Sequence, residues 1–125
     1  EMHYLKQKKF DKFIEVAKPI CINIPRQKRH CSLVVCKNEI VSIGTNHYKT
    51  HPQAKKLGYR YDEMHSELDA YIKVSGKKNL YLYNFRFNRF GEMRIARPCS
   101  LCMPWCMTVF NEIYFTTRNG FERAK

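Results

Sequence analysis

Two short motifs, His65-Ser66-Glu67 and Pro98-Cys99-Ser100-Leu101-Cys102, constrain this chain more than any other feature. In Cys99-x-x-Cys102 two thiolates can reach one ion from the first turn of a helix, whose N-terminal N–H groups favour the anionic form. The spacing alone leaves three readings open: a redox pair, a zinc ribbon completed by Cys31 and Cys36, or a centre completed by His65. The interval between the motifs suits a helix, a strand and a return to the next helix, a unit of about 30 residues that brings successive helix N-termini to one edge of a sheet. The two motifs then face each other. His65, Cys99 and Cys102 make three protein ligands and leave a fourth position for water, as in a catalytic rather than a structural zinc centre. Zinc lowers the pKa of such a water to about 7, and the free carboxylate of Glu67 is placed to carry its protons.

The periodicity supplies the frame for such a unit. Phe10, Phe13, Ile14 and Ala17 share one helical face, which predicts a first helix over Lys6 to Lys18 that Pro19 ends. Cys31 to Cys36 and Ile40 to Ile43 are short β-branched runs separated by Lys37-Asn38-Glu39 and read as a hairpin. Thr45 to Asp62, with Pro52 and Gly58, is the longest irregular segment. Leu68, Tyr71 and Ile72 predict a second helix of about three turns, stopped by Gly76. Leu80 to Phe87 is apolar or aromatic almost throughout, as a central strand covered on both faces should be. A third helix is expected over Leu101 to Phe110, with Pro104 tolerable only in its first turn. Glu112 to Thr117 is a fourth strand, and Arg118-Asn119-Gly120 signals a tight turn before Phe121 to Ala124. The expected architecture is one α/β domain over residues 1–125, a three-layer α/β/α sandwich around a mixed five-stranded sheet.

Charge narrows the partners. Lysine and arginine number 23 against 11 acidic residues, a formal net charge of +12 that favours anions. Lys49, Lys55, Lys56 and Arg60 form one unopposed basic block, and residues 73–97 hold another, opposed only by Glu92. No apolar run approaches the 18 or so residues that cross a bilayer, and the amino end is charged, so the chain reads as cytoplasmic with no membrane partner. Cys21, Cys31, Cys36 and Cys106 are then small hydrophobes rather than disulfide partners. Trp105, Tyr81, Tyr83, Phe85 and Phe87 read first as core, whereas His47, Tyr48 and His51 lie in the loop before the zinc helix, where a substrate must pass.

The ordered set His65-x-Glu67 followed by Pro98-Cys99-x-x-Cys102 is the H-x-E…P-C-x-x-C pattern of zinc-dependent nucleobase deaminases. The chain resembles the cytidine deaminase superfamily, more narrowly its small CMP/dCMP-type domains, over roughly residues 30–120. Gly44-Thr45-Asn46 looks like the family's G-x-N, and Met64 to Ala70 looks like the start of its zinc helix, although Ser66 stands where the family usually has alanine. The resemblance implies Zn2+ on His65, Cys99 and Cys102, and Glu67 as the catalytic proton carrier. It further implies Asn46 on a sugar hydroxyl or base edge, and the backbone around Ser66 and Pro98 reading the exocyclic amine. The short tail predicts an antiparallel fifth strand, as in the cytidine deaminase branch. The activity implied is hydrolysis of a cytosine base to uracil, with single-stranded nucleic acid slightly favoured by the charge. A free nucleotide or nucleoside is the alternative and calls for a closed pocket whose walls an oligomer would complete. The non-enzymatic alternative is a zinc-stabilised module that binds nucleic acid without chemistry.

Overall fold

Alternate residues of the central strands point to opposite faces of a sheet, and each face meets its own helices. The computed structural model describes residues 2–49, 51–59 and 63–125. Its strands are β1 (His30–Cys36), β2 (Glu39–Thr45), β3 (Leu80–Arg86), β4 (Phe110–Thr117) and β5 (Gly120–Arg123), in the order β2-β1-β3-β4-β5. β1 pairs antiparallel with both β2 and β3, β3 runs parallel to β4, and β4 turns back into an antiparallel β5. The sheet is therefore mixed and five-stranded, and its last strand runs in the expected direction. Lys37 and Asn38 both adopt left-handed backbone, the geometry of a two-residue turn whose twist suits the β1–β2 hairpin.

On one face, helix α1 (Met2–Ile22) packs Phe10, Phe13, Ala17 and Cys21 against Leu33, Val35, Phe85 and Phe87. On the other, α2 (Pro52–Lys56), α3 (Ser66–Ile72) and α4 (Met103–Val109) share a cluster with Val34, Leu82 and Ile113. Among the described residues these layers make the α/β/α sandwich expected from the sequence. None of the described helices is long and apolar enough to cross a membrane.

The four helices differ in extent from the sequence reading. α1 does not stop at Pro19 but continues to Ile22. A proline inside a helix costs about 3 kcal/mol, and two features offset it: Ala17 and Cys21 are fully buried, and Asn23 donates to the Pro19 carbonyl from both its backbone and its side chain. α2 is a helical turn inside the segment read as irregular; Pro52 sits at its start, and His51 Nδ1 accepts from Gln53 N at 3.1 Å. α3 ends at Ile72, with turns carrying the chain to Gly76. α4 begins at Met103, so Pro104 falls in its first turn, where no helical hydrogen bond is lost. Arg60, counted in the basic block, lies outside the described residues.

Candidate metal centre

The crossovers from β2 through α3 to β3, and from β3 through α4 to the parallel β4, deliver both motifs to one edge of the sheet. His65 caps α3 in extended conformation, and Cys99 to Cys102 form a turn closed by Cys102 N and Met103 N on the Cys99 carbonyl, at 3.1 and 2.8 Å. α3 can lie this close to β2 only because residue 44 is glycine. A Cβ there would stand 2.3 Å from Ala70 N and 2.3 Å from Ser66 O.

His65 Nδ1 lies 3.5 Å from Cys99 Sγ and 3.4 Å from Cys102 Sγ, and all three donor atoms fall within 4.8 Å of one another. A tetrahedral ion about 2.0 Å from nitrogen and about 2.3 Å from sulfur has an N···S edge of about 3.5 Å, so the donor set fits zinc. The second imidazole nitrogen is held by Glu63 Oε1 at 2.8 Å, the type of outer carboxylate that orients a ligating histidine. Cys31 lies on the opposite face of the sheet against α1, and neither it nor Cys36 or Cys106 belongs to the donor cluster. The zinc-ribbon reading therefore does not match the fold.

The electrostatics follow from the contacts. Cys102 donates to Cys99, and that bond, helped by His65 and by the N–H groups of Cys102 and Leu101, holds the Cys99 thiol down to about 3 against a smaller effect of burial. Cys102 is correspondingly pushed up, first by the same bond and then by burial. Burial depresses His65, but its bond to Cys99 and the nearby charges of Cys99, Glu67 and Glu63 outweigh it, and the net direction is up. Glu67 is raised by burial, partly countered by Asn84 and His65.

Glu67 sits in a closed polar loop. Asn84 Nδ2 donates to Glu67 Oε2 at 3.0 Å and to the Ala96 carbonyl at 3.2 Å, while Ser66 Oγ lies 3.2 Å from Glu67 Oε1. Ser32 Oγ closes the circuit, 2.8 Å from Ser66 Oγ and 2.6 Å from Asn84 Oδ1. All four residues are buried. The motifs supplied Glu67 and Ser66, but sequence reasoning missed Ser32 and Asn84. Their signal was present: a polar residue in a strand covered on both faces needs a buried partner.

A cavity of about 460 Å³ opens on this cluster and brings together Asn46, Tyr48, His65, Ser66, Glu67 and Cys99. Cys102 and Pro98 are buried and do not line it. His47 instead pairs with Asp69 on α3, Nε2 to Oδ1 at 3.2 Å, and His51 caps α2. Asn46 is engaged at both ends, accepting from His30 N at 2.9 Å and donating to the Lys28 carbonyl at 2.9 Å, which leaves it one N–H and one lone pair. The remaining walls are basic in a way the sequence reading did not assign: Arg26, Lys28, Arg86 and Arg97 all line the cavity. Arg26 stacks on Tyr48 with its guanidinium 3.7 Å from the ring centroid, and its Nη1 is buried without a hydrogen-bond partner among the described residues. His30 is held down to about 4, by burial first and then by Arg86, Lys28 and His65, and is neutral at pH 7.

Compared with protein-family models, with curated proteins and with solved structures, the chain finds no match in any of the three.

Proposed function

We propose that this protein is a zinc-dependent deaminase that replaces the exocyclic amine of a cytosine base in single-stranded nucleic acid by an oxygen from water, leaving uracil in the strand and releasing ammonia. One observation carries the reading: His65 and Cys99 share a cavity with the buried carboxyl of Glu67, and Cys102 completes a donor set of tetrahedral dimensions. Bound there, zinc would act as a Lewis acid that lowers the pKa of a water to about 7. The chain's own groups would handle the protons and the substrate. Glu67, its carboxyl raised by burial, would take the two protons of the attacking water in turn, passing one to ring N3 and the other to the departing amine nitrogen, which leaves as ammonia. Asn84 and Ser66 fix the direction of its carboxyl, and the free N–H of Asn46 is available to a sugar hydroxyl. Arg26, Lys28, Arg86 and Arg97 line the cavity and favour a polyanion.

The test compares zinc-loaded wild type with Glu67→Ala on cytidine, dCMP and a cytosine-containing oligonucleotide at two salt concentrations. The expected result is uracil from the oligonucleotide, with binding that weakens as salt rises at a slope of about −0.7 per phosphate contacted. The alanine variant should retain its metal and release no ammonia. Turnover of dCMP without the oligonucleotide would replace the polymer by a free nucleotide. Absence of uracil from all three substrates would overturn the deaminase reading.

A further inference from the structure

Tyr59 belongs to neither motif, yet it touches two of the three candidate ligands. Its ring stacks on the His65 imidazole with centroids 4.0 Å apart and planes 15° from parallel, and its hydroxyl lies 2.6 Å from Cys102 Sγ. Trp105, on the first turns of α4, donates from Nε1 to the same hydroxyl at 3.1 Å. Indole N–H can only donate, so the Tyr59 oxygen accepts from Trp105; Cys102 gives its own hydrogen to Cys99, or loses it on ligating a metal, so the Tyr59 hydroxyl donates to the Cys102 sulfur. Tyr59 is buried, so water does not compete for either bond. Its own position is set by α2, through Tyr59 N on the Ala54 carbonyl at 3.1 Å.

We propose that Trp105 and Tyr59 form a built-in outer shell of the metal centre: Trp105 orients the Tyr59 hydroxyl, and Tyr59 donates to the Cys102 thiolate while its ring fixes the plane of His65. The proposal rests on reading His65, Cys99 and Cys102 as metal ligands. A donated hydrogen bond withdraws charge from a ligating sulfur and restrains its direction, and loss of such an outer partner typically weakens metal affinity 10–100-fold. It also makes Trp105, the single tryptophan of the chain, an optical reporter two hydrogen bonds away from the ligands' side of the centre.

The experiment titrates zinc, by competition with a chromophoric chelator, and cobalt(II), by its thiolate-to-metal charge-transfer band, into wild type, Tyr59→Phe and Trp105→Phe. Phenylalanine at 59 keeps the ring on His65 and removes only the hydroxyl. The expected result is a zinc dissociation constant about tenfold higher for Tyr59→Phe, a charge-transfer band moved to lower energy because the sulfur is a stronger donor, and a smaller change of the same sign for Trp105→Phe. Zinc should change Trp105 emission in wild type and much less in Tyr59→Phe. Both metals bound by Tyr59→Phe within twofold of wild type, with an unmoved band, would refute the outer shell and leave the metal centre standing. Failure of wild type to bind either metal would remove the centre itself and the shell with it.

Discussion

Replacing Gly44 by alanine tests how closely the sheet and α3 are fitted. The added Cβ would lie 2.3 Å from Ala70 N, 2.3 Å from Ser66 O and 2.8 Å from Ala70 Cβ, where ordinary contacts begin near 3.4 Å. Two of these are backbone atoms, so no side-chain rotation relieves the clash, and α3 must retreat from β2 by about 1 Å. The retreat strains two bonds that staple the same surfaces, Ser42 Oγ to the Ala70 carbonyl at 2.7 Å and Thr45 N to Asp69 Oδ2 at 2.9 Å. Overpacking of this kind costs about 1–3 kcal/mol, and weakening the two bonds adds about 1 kcal/mol. The expected loss is therefore about 2–4 kcal/mol, which for a urea slope of about 1–3 kcal/mol/M lowers the unfolding midpoint by about 0.7 M or more. His65 and Glu67 ride on the N-terminal turn of the displaced helix, so zinc affinity should fall at least tenfold in the same variant. A variant with the wild-type urea midpoint and zinc affinity within twofold would refute the claim that residue 44 sets the approach of α3.

Two further outcomes follow from the polar groups of the centre. In zinc-free protein Cys99 is held at about 3, so it is a thiolate at every pH above that value, and it is exposed. Its alkylation by iodoacetamide, followed by peptide mass spectrometry, should change less than twofold between pH 8 and pH 6, where an ordinary thiol slows by roughly a hundredfold. Added zinc should protect it, and a rate that falls in step with an ordinary thiol would contradict the assigned hydrogen bonds. Asn84→Ala removes the partner of Glu67 Oε2, the Ala96 carbonyl and Ser32 at once. With about 1–3 kcal/mol for each buried group left unsatisfied, urea unfolding should show a loss of at least about 2 kcal/mol; an unchanged midpoint would mean that the polar loop does not form.

Much of this architecture was legible because the relevant signals are local. The run Leu80 to Phe87 announced a strand buried on both faces, and the two motifs carried the donor residues at spacings that one βαβ unit brings together. Other features depend on tertiary context that no window of sequence contains. Pro19 reads as a helix stop until the burial of Cys21 is known, and Trp105 reads as core, with Tyr59 carrying no signal of its own, until α2 sets Tyr59 against Cys102. His47 and His51 looked equally available in the loop, yet Asp69 takes one and the start of α2 takes the other. Arg26 belongs to no motif in the sequence, and the cavity wall it forms needs both β1 and the turn before α4 to exist.

The Ser32 and Asn84 pair has a consequence beyond holding an acid. These two residues stand directly opposite each other in the β1–β3 ladder, and they meet only in this alignment. A slip of either strand by one residue would send its polar side chain through the sheet to meet Phe10 and Phe13, and would strand its former partner without a mate. The grip on Glu67 thus proofreads the fold: misaligned versions of the chain are penalised by the very groups that hold this carboxyl in the correct one.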